Sequence, residues 1–312
     1  MISPQQACEF AEQHFPNAPE ELAKHLNVDV RESELDGCDG WCISLGDRSI
    51  IRINSLQSAN RRRFTLAHEL GHLILGIPGI IGESFEDMIS SDSAEERRVN
   101  ELASQILMPT EFVKSTLPDL PIVALGLQRL AKKAKVSELS AAIRVCNLAD
   151  EIGLQNASVV LFDGASVKWQ WSKTLQMPEQ TAVKLLAAAR EEAPNAFRYK
   201  RDQGDVIVAS TIENSFFGSA TLFVQLLPLE LGMNVSHHER RKQIESELFE
   251  GNTDLRNRVS GLLGAHKPRI ENMNEDEAVE LFWERNEAKL ANTELNSELG
   301  REYVQLRIRE WC

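Results

Sequence analysis

The chain has 312 residues, 42% hydrophobic and 26% charged, a composition that excludes wholesale disorder and leaves room for one large or two modest cores. Thirty-four basic against 47 acidic side chains give a net charge of −13, so the molecule as a whole repels polyanions and is not built mainly to coat nucleic acid. Five cysteines, at positions 8, 38, 42, 146 and 312, form an odd and scattered set that fits a reducing compartment better than a disulfide framework.

The opening "MISPQQACEFAEQHF" has neither a basic cluster nor a long apolar run, and no later stretch approaches the roughly 18 to 20 apolar residues of a membrane span; the expected location is the cytoplasm. Residues 3–15 and 19–27 place apolar side chains at helical spacing and predict two short helices. The runs "VDVRESEL" and "GWCISLGDRSIIRIN" then predict a small sheet, with Gly46 and Asp47 as a tight turn. A helix capped by Ser58 or Asn60 should run through "RRRFTLAHELGHLIL" to Gly76, with Pro78 beyond it. After the loop "GIPGIIGESFED", the polar start "SSDSAEE" and the apolar set Val99, Leu102, Ala103, Ile106 and Leu107 predict a second long helix ending before Pro109, and "TEFVKSTLP" a short third one.

Residues 121–150 form two helical stretches around a break near Val136 and Ser137, a helix-turn-helix-like pattern. From 157 the chain alternates like strands around an Asp-Gly turn, followed by a helix near 178–192 and two further strands between 204 and 227. Residues 236–312 read as charged helices without a chemical motif.

The stretch "TLAHELGH" carries the chemistry. Residues four apart on a helix lie one turn apart on the same face, so His68 and His72 can aim two imidazoles at one ion while Glu69 overhangs the same place. Two neutral imidazoles plus a carboxylate able to take a proton from water are what a zinc hydrolase needs. A random chain of this composition would show the pattern on the order of one per cent of the time. Against chance stand an apolar face of Leu66, Ala67, Leu70, Leu73 and Ile74, and Gly71, which costs a helix interior about 1 kcal/mol relative to Ala and needs a reason such as close approach of another backbone. A third ligand can come from the next helix, where periodicity does not separate Glu95 from Glu96.

"RRRFTLAHELGHLILG" followed by "EERRVNELASQILMP" resembles the ImmA/IrrE family of metallo-endopeptidases, in which a His-Glu-x-x-His helix precedes a helix of the form Glu-x-x-Ala-Asn ending in Leu-Leu-Met-Pro. The resemblance covers about residues 1–150. Aligned on "ILMP" at 106–109, it implies Glu96 as the third metal ligand and Asn100 as a hydrogen-bond partner of a ligand imidazole. Val99, Leu102 and Ile106 depart from the family pattern by apolar substitutions that leave the ligands intact.

The resemblance implies an α+β architecture: a zincin-like catalytic domain of small sheet plus active-site helices at 1–120, a helix-turn-helix-like segment at 121–152, and an α+β sensor-like domain at 153–235, GAF-like in the radioresistance branch of the family. A charged helical region at 236–312 follows. It also implies a zinc-dependent endopeptidase in which Zn2+ sits on His68, His72 and Glu96 and Glu69 is the catalytic base. The implied partner is a protein substrate, typically a helix-turn-helix repressor, in a stress, DNA-damage or phage-defence response; a nucleic acid or small ligand would act on the C-terminal domain, and no membrane is involved. The competing class is a non-catalytic, antitoxin-like regulator that binds DNA or a partner, which predicts loss of Glu69 or a ligand; neither is lost.

Other features have ordinary explanations. A thiolate from Cys38 or Cys42 would be able to fill the open metal position, but free cysteines mostly behave as small hydrophobes, and neither is placed among the ligands. Arg61, Arg62 and Arg63 read as a solvated face or local ion pairs. Arg129, Lys132, Lys133, Lys135 and Arg144 would suffice for a phosphate-binding patch, although helices packed on a catalytic domain look the same in sequence. Trp169 and Trp171 share a strand face and favour core packing over base stacking.

Overall fold

A computed structural model of the chain describes residues 2–45, 48–78, 93–117, 119–154, 156–193, 195–214, 219–270 and 273–311. The Gly46-Asp47 turn and most of the loop after Pro78, including the start of "SSDSAEE", lie outside the described residues. The chain forms two compact units, Met1–Met233 and Asn234–Cys312.

The first unit opens with α1 (Pro4–His14), where Ser3 and Gln6 form a capping box, and α2 (Ala18–His25). Strands β1 (Val28–Ser33), β2 (Gly40–Leu45) and β3 (Arg48–Asn54) make a sheet of order β1-β3-β2, with β1 parallel and β2 antiparallel to β3. Strand β2 is therefore an edge. Asn54 fixes the turn leading into it by donating to the carbonyls of Leu35 and Cys38, both at 2.9 Å.

Helix α3 (Ala59–Leu75) is capped by the Ser58 side chain and ends on Gly76, whose φ of 66° is left-handed. Asn60, the alternative cap, instead donates to the Val136 carbonyl at 3.0 Å. Helix α3 is buried on two sides: Leu66, Leu70 and Ile74 pack with Ile51 and Ile53 of the small sheet, while Phe64 and Ala67 join the main core. Helix α4 (Ala94–Leu107) starts on Ser93, whose hydroxyl accepts from the amides of Glu95 and Glu96. The three arginines at the start of α3 are engaged locally: Arg61 with buried Asp39, Arg62 with Glu32, and Arg63 with Glu20.

Helices α5 (Thr110–Thr116), α6 (Ala124–Ala134) and α7 (Glu138–Asn147) follow. Helix α7 is packed rather than free, with Ala141, Ala142, Val145 and Cys146 buried. Arg144 does not belong to a surface basic patch: it is 2% exposed, donating to the Met108 carbonyl at 3.0 Å and the Thr110 hydroxyl at 3.1 Å. It thereby satisfies a carbonyl at the C-terminal end of α4.

A five-stranded antiparallel sheet has the order β5-β4-β8-β7-β6, from β4 (Asn156–Asp163), β5 (Ser166–Trp171), β6 (Phe197–Lys200), β7 (Asp205–Asn214) and β8 (Ser219–Pro228). The edge strand β6, four residues long, was not expected; "FRYK" is too short to show an alternating pattern. One sheet face packs Val160, Phe162, Leu222 and Val224 against α8 (Glu179–Glu192). The other presents Val159, Val206, Val208 and Phe223 to the core shared with α3, α4, α6 and α7. Fully buried Gln225 on β8 exchanges side-chain hydrogen bonds with the backbone of Ile122, so the linker before α6 is tied to this sheet.

The second unit is helical: α9 (His237–Leu248), α10 (Thr253–His266), α11 (Glu275–Leu290) and α12 (Glu298–Arg309) surround a core of Ile244, Val259, Phe282, Leu295 and Val304. Among the described residues no helix is long and apolar enough to cross a membrane.

Candidate metal centre

Helices α3 and α4 bring His68, His72 and Glu96 together, with one potential ligand atom from each lying within 4.8 Å of the others. All three are buried, at 1%, 2% and 3% exposure, whereas Glu95 one residue earlier is exposed. The orientation of α4 against α3, which spacing alone left open, selects between the two glutamates.

The hydrogen bonds fix the tautomers. His68 Nδ1 lies 3.0 Å from Asn100 Oδ1 and His72 Nδ1 lies 3.1 Å from the Ile77 carbonyl; both partners only accept, so each Nδ1 carries the proton. Each Nε2 is then a bare lone pair, and the two Nε2 atoms face one another at 3.0 Å. Glu96 adds Oε2 at 3.5 Å from His68 Nε2 and Oε1 at 3.6 Å from His72 Nε2. The buried Glu96 Oε2 accepts no hydrogen bond. Three electron-rich groups facing each other without a proton donor call for a cation.

Their spacing matches one. Donors at about 2.0–2.1 Å from a tetrahedral ion are separated by about 3.3–3.4 Å, and the three distances here bracket that value. Burial holds His68 neutral, its pKa lowered to about 3 with a further contribution from His72, and burial lowers that of His72 as well. Burial also raises the pKa of Glu96, with neighbouring Glu95 adding to the effect. The imidazoles are thus ready to ligate at neutral pH without first releasing a proton.

Glu69, on the same helix, is 3% exposed. It meets β2: the Cys42 thiol hydrogen-bonds its carboxylate, and burial together with Glu69 raises the Cys42 pKa, so this cysteine stays a thiol. Neither Cys38 nor Cys42 belongs to the ligand cluster. The strand comes this close because residue 40 is glycine. A Cβ there would lie 2.4 Å from Thr65 Cγ2 and 2.8 Å from the Arg52 carbonyl, with Glu69 Oε1 at 3.7 Å. In the sequence the only signal of Gly40 is a small residue opening a strand. His14 stacks on Phe10 and His25 lies tilted against the same ring, so neither histidine belongs to the ligand cluster.

Gly71 has the reason its helix position demanded. A Cβ on it would sit 3.1 Å from Val99 Cγ1 and 3.2 Å from the Val99 carbonyl, at the closest approach of α3 and α4. Gly71→Leu should cost about 1–3 kcal/mol by overpacking. It should also weaken metal binding at this centre, because Val99 lies three residues after Glu96. Gly71→Ala should be near neutral, the gain in helix propensity offsetting a contact that must give by a few tenths of an ångström. Thermal melts and metal titrations check this; wild-type values for Gly71→Leu would show that the helix spacing is not critical.

A buried pair of helices presenting His-Glu-x-x-His and a third carboxylate forms a candidate metal centre with the donor set that metallopeptidases use. Consistent with that class, residues 23–145 match the IrrE N-terminal-like domain family. The radiation response metalloprotease IrrE of Deinococcus radiodurans is 36% identical over 98 residues, covering 30% of this chain and 30% of that protein. Its counterpart from Deinococcus deserti is 35% identical over 119 residues, covering 34% and 42%. The chain thus matches well under half the length of these relatives. A solved Mycobacterium tuberculosis transcriptional regulator aligns at 14% identity with a TM-score of 0.47, over 71% of this chain and 74% of that one.

Proposed function

We propose that the protein is a zinc-dependent endopeptidase that cuts a partner protein for regulatory purposes. The observation that carries this reading is the convergence of two deprotonated Nε2 atoms and the Glu96 carboxylate, with Glu69 on the same helix as the two histidines. His68, His72 and Glu96 would hold the ion, and Asn100 keeps the His68 ring in its ligating tautomer and orientation. Zinc, when bound, supplies Lewis acidity that polarises water and the scissile carbonyl. Glu69 takes the proton from the attacking water as oxygen bonds to the carbonyl carbon, then delivers it to the amide nitrogen as the C–N bond breaks. The edge of β2, held against α3 by Gly40, suits an extended substrate added as a further strand.

The substrate we propose is a helix-turn-helix repressor, cut in a stress, DNA-damage or phage-defence response. This rests on the family resemblance and on relatives described as radiation response metalloproteases. Residues 153–235, with their five-stranded sheet backed by α8, would be the sensor domain of that system. The test is to incubate the protein with the repressor encoded beside it, with and without a chelator and with zinc restored. Cleavage lost on chelation and recovered with zinc is expected. Cleavage indifferent to chelation, or protein that binds no zinc, would overturn the peptidase reading.

A further inference from the structure

A groove of about 400 Å³ lies on the side of α4 away from the small sheet, bounded by α4, α7 and the edge strand β5. We propose that it binds a phosphorylated planar heterocycle, the chemistry of a nucleotide. The volume is within the range of small-ligand sites. The floor is apolar, with Phe64, Leu107, Met108 and Ile143, and one wall is formed by Trp169 and Trp171.

The wall is suited to stacking. The two indoles are within 10° of parallel with centroids 6.2 Å apart, and Trp171 is fixed by donating from Nε1 to Asn147 Oδ1 at 3.0 Å. Two stacking contacts need about 7 Å, so a base does not slip between the rings; it stacks on the face turned to the groove. Arg97, Arg98 and Lys173 supply three cations against the single carboxylate of Glu101, a local excess of positive charge in a chain of net charge −13. Among the described residues Arg97 and Arg98 have no ion-pair partner. Both are exposed, and a bound phosphate gains charge-assisted hydrogen bonds from them.

The same groove reaches the metal centre, because Asn100 lines it while accepting the proton of His68 Nδ1. Occupancy therefore bears on a ligand imidazole, and nucleotide and zinc affinities are coupled reciprocally. The binding half of this assignment does not depend on peptidase chemistry.

Calorimetry on the chelated, metal-free full chain tests it with adenosine 5′-monophosphate, inorganic phosphate and a 5′-phosphorylated pentanucleotide. Saturable binding of the monophosphate is expected, weakened about 5- to 150-fold by Trp169→Ala. The combined change Arg97→Ser and Arg98→Ser should weaken it too and flatten its salt dependence, while Lys132→Ser, on α6 and outside the groove, should leave it unchanged. Trp169→Phe, which keeps an aromatic face, should retain most of the affinity and controls for folding. Tighter binding of the pentanucleotide, with the same sensitivity to these variants, would support the assignment and make a strand end the source. Equal or weaker binding would support it with a free nucleotide. Absence of saturable binding, equal affinity for inorganic phosphate, or indifference to Trp169→Ala would overturn it. Zinc affinity unchanged by saturating monophosphate would overturn the coupling. None of these results requires cleavage, so failure of the peptidase reading is distinguishable from failure of this one.

Discussion

On the proposed peptidase reading, Glu69→Gln should leave a folded protein that binds zinc like the wild type and cuts its substrate about 100- to 10,000-fold more slowly. That loss corresponds to about 3–5 kcal/mol of barrier. The amide is isosteric with the carboxylate, and its oxygen still accepts the Cys42 thiol proton, so the packing of α3 against β2 survives. What disappears is a base: an amide cannot take the proton from water or return it to the leaving nitrogen. Glu69 is absent from the ligand cluster, so metal content should not follow activity down. Single-turnover cleavage, with zinc stoichiometry measured on the same preparations, checks the result. Cleavage within a few-fold of wild type would remove Glu69 from the chemistry, and loss of zinc in step with activity would make its role structural.

The parts of the site legible in the sequence are those that local periodicity encodes. His68 and His72 share a helix, so their common face follows from spacing; Gly76 and Pro78 mark the end of that helix for conformational reasons that also operate in isolation. Gly71 announced a close contact through its cost, and the backbone of Val99 supplies that contact. The choice between Glu95 and Glu96 was different. Both start the same helix, and only the rotation of α4 set by burying Val99, Ala103 and Ile106 decides which carboxylate turns inward. The partnership of Asn100 with His68 spans 32 positions, and Gly40 matters because of Thr65 and Arg52. The groove beside α4 draws on residues from 64 to 173, each unremarkable in its own segment. In the sequence, the shared strand face of Trp169 and Trp171 favours packing. Their half-buried position leaves that reading true of Trp171, which packs on the core, without exhausting the role of the pair.

Glu96→Gln should have opposite signs in the metal-free and zinc-loaded protein. Without metal, the wild type buries a carboxylate whose Oε2 accepts no hydrogen bond, facing two nitrogen lone pairs. An amide there carries no charge, and its NH2 group can donate toward those nitrogens, so metal-free Glu96→Gln should melt at the wild-type temperature or above it. With zinc the order inverts, because the variant loses the anionic ligand that offsets the ion's charge. At free zinc a thousandfold above the dissociation constant, binding stabilises the wild type by about 4 kcal/mol, which for a unit of this size raises the melting temperature by about 8–16 °C. Most of that rise should vanish in the variant. Differential scanning calorimetry of both proteins, chelated and zinc-saturated, gives the four temperatures needed. A wild-type zinc shift in Glu96→Gln would mean that the third ligand lies elsewhere. A variant destabilised equally with and without zinc would make Glu96 a packing group whose position near the histidines has no bearing on the metal.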